Sequence, residues 1–156
     1  MKFIIVASKF NEKLMDELIE NTKSSLMDSE VKADDIDLIR VPGAYEIPQM
    51  INFIHNSMIK AADNSIIYIA LGVVIEGETN HAQMIIDTTG KSLLDLSLYK
   101  NIFIVNEIVG APSYKIAEAR CVGKENTRGW YAGKPFGKID IPLLFNIFTQ
   151  LSKIYI

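Results

Sequence analysis

Cysteine is all but missing from this 156-residue chain: Cys121 stands alone, so neither an internal disulfide nor a multi-cysteine metal site can form. Positive charge is also in short supply. Against 19 Asp and Glu there are 16 Lys and Arg, for a net charge of -3 and a pI near 5.4, which argues against a general nucleic-acid or acidic-membrane binder. A small anion held by a local pair of cations remains compatible with that balance. No apolar stretch is long enough for a membrane: the run from Ile66 to Ile75 is far short of the roughly 20 residues a spanning helix needs. The opening Met1 to Ala7 imitates a signal segment but breaks at Ser8-Lys9, too soon for an apolar signal core. A cytoplasmic protein without membrane partners is expected. There is no Gly-x-x-x-x-Gly-Lys-Ser/Thr loop, no Ser-His-Asp or Cys-His set and no metal-ligand cluster, so no residue pattern points to a Walker-type nucleotide site or a metal.

With 49% hydrophobic and 22% charged residues, the composition is globular, and the length suits one domain over 1–156. Phe3 to Ala7 is a β-branched apolar run, expected to be a strand buried on both faces. Asn11 is placed to cap a helix whose apolar positions Leu14, Met15, Leu18, Ile19 and Leu26 recur at helical spacing. Ile36 to Val41 reads as a second strand, stopped by Pro42-Gly43. A second helix starts near Pro48, with Met50, Ile51, Ile54 and Met58 as its buried stripe. Ile66 to Ile75 is a third strand, followed by a helix carrying Met84, Ile85, Leu93 and Leu96. Ile102 to Val109 is a fourth, followed by a short helix over Ser113 to Cys121, a polar loop over Gly123 to Gly129 and a last helix over Ile141 to Ile154. Strand and helix alternate four times, which predicts an α/β three-layer sandwich: a four-stranded parallel sheet with helices on both faces, flavodoxin-like in class.

Ligands of such folds bind beyond the carboxyl ends of the strands. That directs attention to Lys9-Phe10-Asn11, Gly43 to Glu46, Glu76 to His81 and Asn106-Glu107. Gly77-Glu78-Thr79 sits where strand gives way to helix, so its backbone N–H groups could cradle a phosphate; an ordinary strand-to-helix turn explains the tripeptide equally simply. His81, in the first helical turn, is placed for proton transfer near neutral pH, though lone histidines are more often structural. His55 reads as a surface or helix-end histidine without a role. Arg120, Lys124 and Arg128 make a cationic run that reads either as a solvated loop or as a phosphate clamp. Phe10 suits either core packing or stacking on a planar heterocycle. Glu46 could bond hydroxyls.

In combination and order, these residues resemble the 6,7-dimethyl-8-ribityllumazine synthase family over roughly residues 3 to 133. The segments are Ile5 to Asn11 with its aromatic-Asn pair, Val41-Pro42-Gly43-Ala44-Tyr45-Glu46-Ile47-Pro48, Ala70 to His81 with its Gly-x-Thr-x-His ending, and Arg120 with Gly123 to Gly129. The resemblance implies small-molecule substrates. Phe10 would stack on the ring of 5-amino-6-ribitylaminouracil, with Asn11 and Asn106 near it. Ala44, Tyr45 and Glu46 would hold its ribityl chain and ring edge, and Val73, Val74 and Ile75 would bond it through backbone groups. Glu78 and Thr79 would offer N–H groups to the phosphate of 3,4-dihydroxy-2-butanone 4-phosphate. Arg120, lent by a neighbouring subunit, would clamp that phosphate, Arg128 would support it, and His81 would move protons. The resemblance also implies a homo-oligomer, a pentamer or a multiple of one.

Departures from the family pattern bear on these roles. Thr127-Arg128-Gly129 stands for Asn-Lys-Gly, Glu76 for a frequent Arg, and Asn106-Glu107 for a common Phe-Gly. After Gly133, Pro135 interrupts a helix that relatives run continuously, which makes 134–156 atypical. The departures at Arg128 and Asn106 keep open a catalytically weak ligand-binding or assembly protein on the same fold. A riboflavin synthase of the archaeal kind is disfavoured by the intact Gly77-x-Thr79-x-His81 segment, and a generic flavin binder by a first strand without a hydroxyl-rich phosphate loop.

Overall fold

Four extended segments rich in Ile and Val set the architecture of the computed structural model, which describes residues 1–58 and 66–134. They form β1 (Lys2–Ser8), β2 (Ile36–Val41), β3 (Ile66–Ile75) and β4 (Phe103–Ala111), all parallel, in the order β2-β1-β3-β4. Between and after them run α1 (Glu12–Asp28), α2 (Ile47–Met58), α3 (His81–Lys100), α4 (Tyr114–Cys121) and α5 (Arg128–Gly133). The expected three-layer α/β sandwich is what forms. Alternation along the strands sorts the core. Phe3, Ile5, Ala7, Ile67, Ile69, Leu71 and Val109 pack with α1, α4 and α5. Ile4, Val6, Tyr68, Ala70 and Val74 pack with α2 and α3.

Several expectations need correcting. Asn11 stands at the N-cap position of α1, its carbonyl accepting from Met15 N at 3.0 Å, but its backbone is left-handed (φ 60°, ψ 49°) and its side chain makes no cap hydrogen bond, because it is turned across the sheet end to Val73 instead. Met58 is exposed rather than buried. The α2 stripe is made by Ile47, Pro48, Ile51 and Ile54, one turn nearer the helix start. The end of the expected polar loop is helical: Thr127 caps α5, its hydroxyl accepting from Trp130 N at 3.2 Å. His55 is half-buried, its ring edge-on to that of Tyr68 at 6.3 Å; burial, then Lys100, lowers its pKa. Burial alone pushes the Tyr68 hydroxyl up to about 12. The helix expected over Ile141 to Ile154 and the Pro135 interruption lie outside the described residues.

The short helix α5 lies unusually close to α1. Gly129 and Gly133, four apart and so on one face, present bare backbone to it. A Cβ at Gly133 would meet Leu26 N at 2.6 Å, and one at Gly129 would run into the Leu18 carbonyl. The closeness lets α1 hydroxyls reach the α5 carbonyls: Ser25 Oγ donates to Trp130 O at 2.6 Å and Ser29 Oγ to Gly133 O at 3.2 Å.

Candidate functional site

In the order β2-β1-β3-β4 the connections leave β1 to one side and return on the other, so the β1/β3 boundary is the switch point where such sheets bind ligands. A cleft of about 320 Å³ opens there, lined by Phe10, Ala44, Val73, Val74, Ile75, Gly77, Thr79, His81, Ala82 and Ile85. A second lobe of about 360 Å³ adjoins it, lined by Gly43, Ala44, Tyr45, Glu46, His81, Met84 and Ile85. Ala44, His81 and Ile85 belong to both, so the imidazole stands at their junction. The strand-end segments singled out in the sequence thus converge, except Asn106-Glu107. Ala82 and Ile85 were not foreseen. Ile85 lies one turn beyond His81 on α3, at i+4, and that spacing was the available signal; Ala82, directly after His81, gave none.

Register explains how β3 reaches into the cleft. Its pairing with β1 ends at Ala7↔Leu71, while pairing with β4 continues through Val73↔Val109, Val74↔Gly110 and Ile75↔Ala111. Glu76 N donates toward β4, to Ala111 O at 2.9 Å, and Val73 O accepts on the β1 side from Asn11 Nδ2 at 2.9 Å. Since backbone groups of successive strand residues point to opposite edges, the Ile75 amide and carbonyl face the cleft. Those of Val74 face β4, and Val74 lines the cleft through its side chain.

At the rim, Phe10 is 72% exposed, an aromatic face offered to solvent with only its backbone neighbours tied down. Glu46 folds back on its own turn, its Oε2 accepting from Gly43 N at 2.9 Å, which leaves its other oxygen for a ligand. Glu78 and Thr79 are exposed just before α3. The Thr79 hydroxyl accepts from His81 N at 3.4 Å, and the start of this 20-residue helix, where Asn80 makes no side-chain cap hydrogen bond, adjoins the cleft through His81 and Ala82.

The three cations separate. Lys124 is taken up by Asp28 at 3.3 Å and lies over the Trp130 ring at 5.3 Å. Arg128 Nε lies 2.5 Å from Glu107 Oε2. Glu107 is buried, and that burial pushes its carboxyl up, partly opposed by the Arg128 guanidinium. Arg120 is exposed in the last turn of α4 and, of these three, is the one without an ion-pair partner among the described residues. It belongs to the α1/α4/α5 layer and does not line the cleft, which leans toward the α2/α3 layer. Asn106 is exposed on the edge strand β4, its Oδ1 accepting from Ile108 N at 3.2 Å, and stands apart from the cleft. Among the described residues no group of three or more His, Cys, Asp or Glu is placed to hold a metal, and no helix is long and apolar enough to cross a membrane.

Comparison with known proteins gives a match of residues 1–136 to the family described as 6,7-dimethyl-8-ribityllumazine synthase. Relatives bearing that name include one from Xanthomonas campestris pv. campestris (strain B100), 33% identical over 82% of this chain and 80% of its own. Others come from Xylella fastidiosa (strain M12) at 31% and Xanthomonas oryzae pv. oryzae (strain PXO99A) at 34%, with the same coverage.

Proposed function

The chain belongs to the 6,7-dimethyl-8-ribityllumazine synthase family, and from that premise we propose that it condenses 5-amino-6-(D-ribitylamino)uracil with 3,4-dihydroxy-2-butanone 4-phosphate to 6,7-dimethyl-8-ribityllumazine, the penultimate step of riboflavin biosynthesis. The observation that carries this reading is the junction at His81: two adjoining lobes share it, one bounded by Phe10 and the α3 N-terminus, the other by Ala44, Tyr45 and Glu46. Two substrates held side by side react with the advantage of an intramolecular encounter. The pyrimidine ring stacks on Phe10, with the Ile75 backbone groups at its edge. Its ribityl chain runs along Ala44, Tyr45 and Glu46. The phosphate lies on the amides of Glu78 and Thr79 at the α3 N-terminus, where the helix dipole favours an anion.

The substrate amine attacks the ketone, and water leaves as the imine forms. Loss of inorganic phosphate and ring closure with loss of a second water follow. Each step moves a proton, and His81 stands where it can take one from the amine and return one to a departing oxygen. None of these steps changes the overall oxidation state, so the reading assigns no cofactor and no metal.

Arg120 is the proposed phosphate clamp. Because its layer lies away from the cleft of its own chain, it serves a neighbouring copy, and the reading is of a homo-oligomer, a pentamer or a multiple of one. The exposed apolar side chains of Phe53, Leu94, Leu98 and Tyr99 on α2 and α3 support association. The protein is assigned to the cytoplasm, acting on small molecules as a single domain over 1–156, with neither nucleic-acid nor membrane partners.

The test is lumazine formation, followed optically in both substrates against a protein-free control. Arg120→Ala is expected to raise KM for the butanone phosphate roughly ten- to a hundredfold, as for a lost charged hydrogen bond, and to leave the pyrimidine nearly unaffected. Equal losses for both substrates would remove Arg120 from the clamp. A rate no higher than the control would favour the second reading, a weakly catalytic binding or assembly protein. The observation behind that alternative is the capture of Arg128 by Glu107, which withholds a second cation from the anion.

A further inference from the structure

Phe10, to which the proposed function gives a stacking role, is 72% exposed, so little of its ring is covered by the fold. Its backbone is held from both sides. The N–H of Lys9 donates to Val41 O at 2.8 Å, tying the chain to β2. One residue beyond Phe10, Asn11 Nδ2 donates to Val73 O at 2.9 Å, tying it to β3. Since β2 and β3 flank β1, Phe10 sits on a bridge across the end of β1 with a fastening at either foot. Asn11 makes this bond from a left-handed backbone, a conformation that Asn and Gly tolerate far better than other residues. In that posture the carboxamide spends a donor on a strand carbonyl and none on α1.

We propose that Asn11 is a positioning residue: through its bond to Val73 it sets the Phe10 ring at the angle the pyrimidine needs, without itself touching the ribityl chain. This rests on the assignment of Phe10 as the stacking face. A ring swinging freely on an untethered turn must be ordered by each ligand as it binds, and that ordering weakens affinity. Asn11→Gly keeps the backbone conformation and removes the donor. Asn11→Asp keeps the shape and sets a carboxylate against the Val73 carbonyl.

The experiment is equilibrium binding of 5-amino-6-ribitylaminouracil, and of 5,6-diaminouracil, which lacks the ribityl chain. The proteins are wild type, Asn11→Gly, Asn11→Asp, Phe10→Ala and Phe10→Ala with Asn11→Gly, and thermal unfolding checks that each is folded. Asn11→Gly is expected to weaken both ligands by the same factor, roughly three- to tenfold for one lost hydrogen bond, and Asn11→Asp by at least as much. Added to Phe10→Ala, Asn11→Gly should have no further effect. In turnover, the pyrimidine KM should rise with that of the butanone phosphate unchanged. Additive losses in the double variant, or a loss seen only when the ribityl chain is present, would overturn the proposal in favour of direct contact. A wild-type affinity for Asn11→Gly would overturn it too, by showing that the left-handed turn alone suffices. Wild type that binds pyrimidine without turning it over would sink the catalytic reading and leave this one measurable. Wild type that does not bind would sink both.

Discussion

Replacing Arg128 with Gln should destabilise the protein, whereas replacing its partner Glu107 with Gln should not. The Glu107 side chain is 11% exposed and that of Arg128 43%, so the two ends of the ion pair sit in different surroundings. Burial acts on the carboxylate more strongly than the guanidinium does, since the Glu107 pKa is raised in spite of Arg128. The folded state therefore holds the charged form at a net cost, and the short contact offsets only part of it. Deleting the cation alone leaves that carboxylate stranded. A fully buried pair broken this way loses about 3–5 kcal/mol; with Arg128 nearly half in water, about 1–3 kcal/mol is the appropriate figure. For a chain of this length that is a fall in Tm of about 3–10 °C. Glu107→Gln removes the charge at constant shape and leaves Arg128 to solvent, a change of about 0–1 kcal/mol in either direction.

The pH dependence has a definite sign. With its folded pKa above the unfolded one, Glu107 contributes stability that is present below the ordinary glutamate range and lost as pH rises through the folded value. Arg128→Gln pushes that folded value higher still, so its deficit against wild type should be largest near pH 8 and shrink toward pH 5. Thermal unfolding by circular dichroism at both pH values and matched protein concentration measures this, with the double variant Glu107→Gln/Arg128→Gln expected to track Glu107→Gln. A deficit for Arg128→Gln that is the same at pH 5 and pH 8 would refute the reasoning. So would a loss at pH 8 for Glu107→Gln as large as that for Arg128→Gln.

Two glycines give predictions of opposite kind. Gly133→Ala places a methyl against the α1 backbone near Leu26 and Ser25, and overpacking there should cost about 1–3 kcal/mol, read as a lower denaturant midpoint. At Gly77 an added Cβ meets nothing within 4 Å, so Gly77→Ala should leave the midpoint unchanged. It should nonetheless raise KM for the phosphate substrate, because the methyl holds the anion off the α3 amides; an unchanged KM would remove Gly77 from the anion site.

What could be read from the residues was set by how far apart the interacting partners lie. Ile36–Val41 and Ile66–Ile75 were located to the residue: the second because a strand buried on both faces announces itself as a nearly unbroken apolar run, the first because Pro42-Gly43 stops a short stretch with alternating Ile, Leu and Val on the sheet edge. The Glu76 to His81 turn and Phe10 were placed by the general rule that parallel sheets bind at their carboxyl ends. Helix α5 was missed because Arg128-Gly129-Trp130-Tyr131-Ala132-Gly133 has two glycines where a helix is usually disfavoured. Those glycines serve contact with α1, more than 100 residues earlier in the chain for the Ser25–Trp130 and Ser29–Gly133 bonds. Asn11 was read as a cap since its local context permits one, and only the fold brings Val73 within reach, 62 residues on. The three cations looked alike in sequence. Asp28 and Glu107 distinguish them, and neither is a sequence neighbour of the cation it holds.

The separation of Arg120 from the cleft by the layering of the sheet also bears on how the protein bears mutation. On the proposed reading, a chain is never the sole owner of a working site: it keeps one half and lends the other. A substitution in α4 injures a different molecule from one beside His81, so two alleles, each inactive alone, can restore intact sites when their products assemble together. Heredity would then act on the assembled ring, and harm to one face of the subunit can be made good by a neighbour whose own damage lies on the other.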